Sequence, residues 1–203
     1  SNGNTVWLNR YDGGSDDFAQ SVAMDKWGRS YVAGYVYDGA TNDYQGIRYD
    51  SYGGQDLWFR YDSGDQDYAY GIAVDDTGNI YVTGSCQRAT EDYLTIKYKS
   101  GGGLEWERFY DGGNADVAQA IAVDGSGNVY VTGYSWNGTN DDYFSIGYNS
   151  NGDTIWMARY DGGDNDRGHG IAVDKTPGGA GNIYVTGWTG LLRDYFTIKY
   201  HQK

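Results

Sequence analysis

Aspartate is the residue type in this sequence whose spacing could do chemistry. Asp16 and Asp17, Asp65 and Asp67, Asp116, and Asp164 and Asp166 stand on glycine-rich stretches that recur about every 50 residues. Carboxylates gathered on such loops are hard oxygen ligands of the kind Ca2+ takes, roughly six to eight at flexible distances. The Asp-x-Asp-x-Asp-Gly loop with its distal Glu is absent, so no known calcium loop is matched. Two other uses compete with a calcium cofactor: plain solvation, and ion pairs with Arg10, Arg60, Arg108 and Arg159 from the preceding segments. A second series, Asp25, Asp75, Asp124 and Asp174, stands one turn ahead of Gly28, Gly78, Gly127 and Gly181. There a carboxylate accepts backbone N–H groups and fixes a hairpin, so Asx turns are expected. In the fourth copy this turn lengthens through Lys175–Ala180.

Residues that break the recurrence are the places for individual function. Trp27, Trp136 and Trp188 have no counterparts, and Trp136 lies in the loop Ser135-Trp136-Asn137-Gly138-Thr139. An exposed indole beside an amide can stack on a sugar and bond its hydroxyls, which makes Trp136, Asn137 and Trp188 the candidate glycan ligands. Local packing is the competing use. Asn137-Gly138-Thr139 is also a formal glycosylation sequon. Catalytic signals are weak. His169 and His201 are the only histidines, and neither falls in a triad order with Ser, Cys or a carboxylate. No glycine-rich phosphate loop opens a helix, and the glycines read as turns. A pair of aspartates could serve a glycosidase, but positions repeated fourfold are expected to be structural. No enzyme activity is expected.

The elements that position these residues come from an internal repeat. Trp7, Trp58, Trp106 and Trp156 each begin a segment leading into Tyr-Asp, at Tyr11-Asp12, Tyr61-Asp62, Tyr110-Asp111 and Tyr160-Asp161. An Ala-hydrophobic-Asp segment follows, then a turn, then Tyr-Val-Thr-Gly at Tyr81–Gly84, Tyr130–Gly133 and Tyr184–Gly187, with Tyr31-Val32-Ala33-Gly34 in the first copy. Each copy closes with Asp-Tyr-x-x-Ile-x-Tyr or a close variant, starting at Asp43, Asp92, Asp142 and Asp194. Phe144, Ile146 and Tyr148 alternate with Tyr143, Ser145 and Gly147, the period of two of a strand. Four short strands in about 50 residues are the arithmetic of a propeller blade. The four repeated Trp and the tyrosines of Tyr-Val-Thr-Gly are expected to pack the core.

These motifs resemble the seven-bladed β-propeller repeat (SBBP type) of bacterial and archaeal surface and secreted proteins. The resemblance covers nearly the whole chain and implies a scaffold without a common active site; this sequence carries four copies. The expectation is an all-β, four-bladed β-propeller forming a single domain over residues 1–203. Its copies span approximately 7–57, 58–105, 106–155 and 156–203.

The chain starts with a Trp-containing strand, Thr5 to Tyr11, and stops just after the strand Asp194 to Tyr200. The last blade therefore lacks its outer strand while a spare copy stands at the N-terminus. In a closed ring the first strand completes the last blade, bringing Val6, Trp7, Leu8 and Tyr11 beside Tyr195, Phe196, Ile198 and Tyr200. In the alternative, the same strand completes the last blade of a second molecule, head to tail.

Composition agrees with strands and turns: 33 Gly, 22 Tyr and 7 Trp against one Pro, Pro177, in 203 residues. A chain of this length can bury about 70% of its unfolded surface. A net charge of −13 repels phosphate backbones and anionic lipid, so neither nucleic acid nor a membrane surface is an expected partner. No apolar run approaches the ~18 residues of a membrane span. One cysteine, Cys86, excludes an internal disulfide. The opening Ser1-Asn2-Gly3-Asn4 has no basic and apolar leader and reads as a mature or excised start. The functional expectation is a non-enzymatic module, extracellular or at a cell surface, with self-association through the first strand. A glycan-binding propeller and an accessory domain of a larger secreted enzyme stand as alternatives.

Overall fold

The computed structural model describes residues 3–174 and 181–201, and every regular element within them is a strand. The turn Lys175–Ala180 lies outside the described residues. Blade 1 is β1 (Asp17–Met24), β2 (Ser30–Tyr37), β3 (Asn42–Tyr49) and β4 (Gln55–Tyr61). Blade 2 is β5 (Asp67–Val74), β6 (Ile80–Gln87), β7 (Glu91–Tyr98) and β8 (Leu104–Tyr110). Blade 3 is β9 (Asp116–Val123), β10 (Val129–Trp136), β11 (Asp141–Tyr148) and β12 (Thr154–Tyr160). Blade 4 has three strands, β13 (Asp166–Val173), β14 (Asn182–Thr189) and β15 (Asp194–His201). Each blade is an antiparallel meander in chain order, and β1, β5, β9 and β13 pack one on the next. This is the four-bladed β-propeller architecture that the repeat predicts.

The repeated motifs hold each blade together in the same way. Asp75 Oδ1 accepts the amides of Thr77 at 2.8 Å and Asn79 at 2.9 Å, and Oδ2 accepts the Tyr81 hydroxyl at 2.9 Å. Asp25 with Trp27, Arg29 and Tyr31, and Asp124 with Ser126, Asn128 and Tyr130, repeat the pattern. The expected Asx turns are present at Asp25, Asp75 and Asp124, where they also anchor the tyrosine six residues on, while the turn after Asp174 lies outside the described residues. The glycine closing that motif does not make a turn. A β-bulge in each inner strand turns a carbonyl toward β2, β6, β10 or β14. A Cβ on Gly34, Gly84, Gly133 or Gly187 would stand 1.8 to 1.9 Å from that oxygen. These four glycines are therefore required by close backbone approach in mid-strand, which corrects the reading of the glycines as turns.

Aromatic layers fill the space between blades. Phe59 of blade 1 meets Tyr98 of blade 2 at 4.8 Å between centroids, Tyr110 meets Phe144 at 4.3 Å, and Tyr160 meets Phe196 at 4.6 Å. The Tyr93 hydroxyl crosses a junction to the Phe144 carbonyl at 2.9 Å, satisfying a buried polar group on the next blade. Trp106 and Trp156 enter these layers, against Tyr148 and Tyr200 respectively. Trp58 does not. Leu57 pairs with Arg48 where Trp106 pairs with Lys97, so Trp58 is one residue out of phase. A strand alternates faces at every residue, and Trp58 is consequently 63% exposed. Its expected core role is corrected accordingly.

Closure by the first strand is also corrected. Among the described residues β13 does not pack on β1 as successive inner strands do, and β15 has no paired strand on its outer side. The interblade layers set the step from one blade to the next, and three such steps leave the ends apart. Residues 5–11 belong to no strand ladder. They lie on the free face of blade 1, where Trp7 stacks near Tyr49 at 5.7 Å and Asn9 donates to the Gly53 carbonyl. Trp106 and Arg108 occupy the same places over Gly152 of blade 3. The N-terminal segment thus sits where the outer strand of a preceding blade would lie.

Candidate functional site

Two features of this arc could do more than hold it together: carboxylate groups along one rim, and its two open end faces. The rim groups come from the sequence order. Each inner strand begins with an aspartate whose Oδ2 accepts an amide four residues earlier: Gly13 for Asp17 at 2.7 Å, Ser63 for Asp67 at 2.8 Å, Gly112 for Asp116 and Gly162 for Asp166 at 2.6 Å. The aspartate of each Tyr-Asp step braces the same loop from its other end, as Asp111 does by accepting the Gly113 amide at 2.7 Å. The strand starting Asp-Tyr then brings in a third carboxylate. Asp38, Asp43 and Asp62 gather at the first junction, Asp92, Asp111 and Asp116 at the second, and Asp142, Asp161 and Asp166 at the third; in each, one oxygen per residue lies within 4.8 Å of the others. Of the sequence candidates, Asp116 and Asp166 enter these groups. Asp17 and Asp67 brace their loops in equivalent places, and Asp16, Asp65 and Asp164 remain exposed. Asp43, Asp92 and Asp142 were missed, because they lie about 25 residues from the loops they join and only the blade brings them back.

Burial pushes the carboxyl of Asp67 up to about 6, with Asp43 and Asp62 adding to the rise and two hydrogen bonds from Ser63 opposing it. Asp116 is also raised, by burial first and then by Asp92 and Asp111, while the Ser135 hydroxyl and the Gly112 amide temper the effect. The arginines answer the groups unequally. Arg60 binds Asp38 and Asp43 at the first junction, and Arg159 binds Asp142 at 2.8 Å at the third. Arg108 turns away to the carbonyls of Gly152 at 2.7 Å and Asn151 at 3.2 Å, and Arg10 pairs locally with Asp12. The expected pairing with the loop carboxylates is therefore corrected for all four arginines: Arg10 meets Asp12, Arg60 meets Asp38 and Asp43, Arg159 meets Asp142, and Arg108 meets backbone carbonyls.

The end faces expose what the junctions bury. Tyr195 is 84% exposed, whereas Tyr44, Tyr93 and Tyr143 at the same step of their blades are at most 2% exposed. At the other end Val22 and Met24 are exposed where Ile72 and Val123 are buried. Beside them a groove of about 320 Å³ runs under Trp7, Asn9 and Tyr11 along Ala33, Ile47 and Tyr49. Val6 and Leu8 point to solvent. Phe196, Ile198 and Tyr200 face inward to blade 3, packing with Tyr143, Trp156 and Tyr160.

The candidate glycan residues are placed apart in their blades. Trp136 ends β10 opposite Asp141, while Trp188 lies in β14 opposite Arg167. Trp188 donates its indole N–H to His169 Nε2 at 2.9 Å and carries the Arg193 guanidinium over its ring at 5.1 Å. The Asn137 amide is engaged within its own loop, by Asn140 at 2.6 Å and Asp142 at 2.9 Å. His201 meets Asn182 at 3.2 Å.

Residues 54–85 and 108–140 match the family model for the beta-propeller repeat (SBBP). No curated protein matches the chain. Among solved structures, a protein of unknown function from Bacteroides caccae is similar with a TM-score of 0.56 at 13% identity, over 97% of this chain and 64% of that one. One from Dyadobacter fermentans gives 0.56 and 13%, over 97% and 63%. A gluconolactonase from Xanthomonas campestris, XC5397, gives 0.51 and 14%, over 88% and 57%. The chain thus spans less than two thirds of each of these proteins, and at such identities the likeness is one of fold. Two stretches of the chain are thus similar to the beta-propeller repeat, and the chain as a whole builds four successive blades.

Proposed function

We propose that this protein is a non-enzymatic scaffold or interaction module that works as an arc, joining a second copy head to tail at its open faces. The observation that carries this reading is complementarity between the ends. Residues 5–11 lie on blade 1 in the place of an outer strand without joining a strand ladder, and among the described residues β15 has a free outer edge. Thr5-Val6-Trp7-Leu8-Asn9-Arg10-Tyr11 has the phase of β12, Thr154-Ile155-Trp156-Met157-Ala158-Arg159-Tyr160. In that phase Tyr11 of one copy falls opposite Tyr195 of the next, as Tyr160 falls opposite Tyr143. Tyr184 and Tyr195 of one copy then cover Val22 and Met24 of the other. Such a contact is heterologous, so it closes a ring or extends as a filament according to its rotation. On the resemblance of its repeat, the site of action is extracellular or at the cell surface.

Light scattering after size exclusion at two concentrations tests the reading. The expected result is a mass that rises above 22.4 kDa with concentration, and a chain lacking residues 1–11 that stays monomeric. A constant mass near the monomer value overturns self-association and leaves the open faces to be completed by blades beyond these residues.

A further inference from the structure

We propose that the junction between blades 2 and 3 binds one Ca2+ through Asp92, Asp111 and Asp116. One oxygen from each lies within 4.8 Å of the others, a span no wider than two Ca–O bonds of about 2.4 Å. Asp92 and Asp116 are at most 1% exposed, and Asp111 faces solvent, where water completes the shell. Asp116 supplies the second, independent sign of a ligand. Its Oδ2 holds the Gly112 amide, but Oδ1 is buried and accepts no hydrogen bond of good geometry. The Ser135 hydroxyl on the paired strand accepts from Arg159 Nη2 at 2.8 Å and lies near Asp116 without meeting Oδ1 in hydrogen-bond geometry. A buried carboxylate oxygen left in this state carries a desolvation cost that a cation would remove.

Comparison with the other two junctions explains why the site is here. Arg60 and Arg159 stand one residue before the tyrosine of Tyr-Asp and reach across to Asp43 and Asp142. The residue at that step in the second junction is Phe109, because the arginine falls one position earlier, at Arg108, and points to the opposite face. At the third junction Asn137 and Thr189 add donors to Asp142 and Asp166, and at the second Thr90 donates to Asp92 at 2.9 Å. At the second the nearby cation is Arg88, half exposed, 3.7 Å from Asp92 with its guanidinium over the Phe109 ring at 4.8 Å. Three carboxylates without a hydrogen-bonded arginine are what a hard divalent cation neutralises best.

The test is calcium calorimetry and terbium luminescence on the full chain, kept dilute so that it is monomeric; the junction lies within one chain, so failure of head-to-tail association does not affect the outcome. One site per chain is expected, with a melting temperature raised by calcium and lowered by a chelator. Asp111→Asn should weaken binding by roughly tenfold or more, since affinity follows ligand charge. Phe109→Arg, which installs the arginine of the other junctions, should abolish it, and Asp161→Asn at the third junction should leave it unchanged. If Phe109→Arg does not fold, the exposed Asp111→Asn decides. Absence of calcium heat with no change in melting temperature, binding that survives Asp111→Asn, or equal loss in Asp161→Asn overturns the proposal.

Discussion

A single aspartate can carry opposite roles in this protein depending on what surrounds it. For Asp75, burial alone would raise the carboxyl, but Thr77, Asn79 and Tyr81 donate to it and hold it below the ordinary 3.8. Asp67 has fewer donors and a fully buried side chain, and it titrates near 6 instead. Between 3.8 and about 6 the folded state therefore keeps a proton at Asp67 that the unfolded chain has lost. Stability attributable to this group is present at acid pH and lost as pH rises through that window. Thermal melts at pH 4 and pH 7 should show a smaller drop between the two in Asp67→Asn than in the parent chain. The Asx-turn aspartates were legible in the sequence, because a carboxylate one turn before glycine is a local arrangement. The raised carboxyls were not, since their burial comes from a neighbouring blade.

At the scale of the strand, phase decides function more than residue type. Trp58 and Trp106 stand at similar intervals in the repeat, yet one is exposed and the other buried against Tyr81 and Tyr148. Counting back from the Tyr-Asp step would have revealed this: Trp106 is four residues before Tyr110 and Trp58 three before Tyr61. Trp106→Ala should cost about 3–5 kcal/mol in chemical denaturation, the cost of emptying a large aromatic site. Trp58→Ala should change stability by less than about 1 kcal/mol. The same one-residue shift separates Arg108 from Arg60 and Arg159, and it exchanges an ion pair for carbonyl bonds.

For the whole molecule, the unanswered surfaces are the two ends. At the first and third junctions an arginine of the outer strand meets the aspartate of the Asp-Tyr step on the neighbouring strand, as Arg159 meets Asp142. Arg10 and Asp194 hold the corresponding positions at opposite ends of the arc, and Asp194 is exposed. In a head-to-tail pair they would come together across two copies. Arg10→Asp should therefore suppress association in analytical ultracentrifugation, and adding Asp194→Arg should restore it. Suppression that the second change fails to reverse would place the contact elsewhere. With a net charge of −13 on each copy, association should also strengthen as salt screens the repulsion.

The sequence by itself determined the repeat, its four blades, the order of strands within each and the turns that join them. All of these rest on periods of two and of about 50 residues and on local side chain to backbone bonds. It also showed that Thr5–Tyr11 has the phase of the outer strand Thr154–Tyr160. Only the tertiary structure decided that the two ends do not meet. The angle between blades is set by how the aromatic layers interlock, and no property of a single repeat encodes the sum of three such steps. The same packing brought Asp92 of β7 to Asp111 and Asp116 at the ends of the β8–β9 loop and left Phe109 where arginine stands elsewhere, because contacts within and across blades join residues that the chain keeps apart.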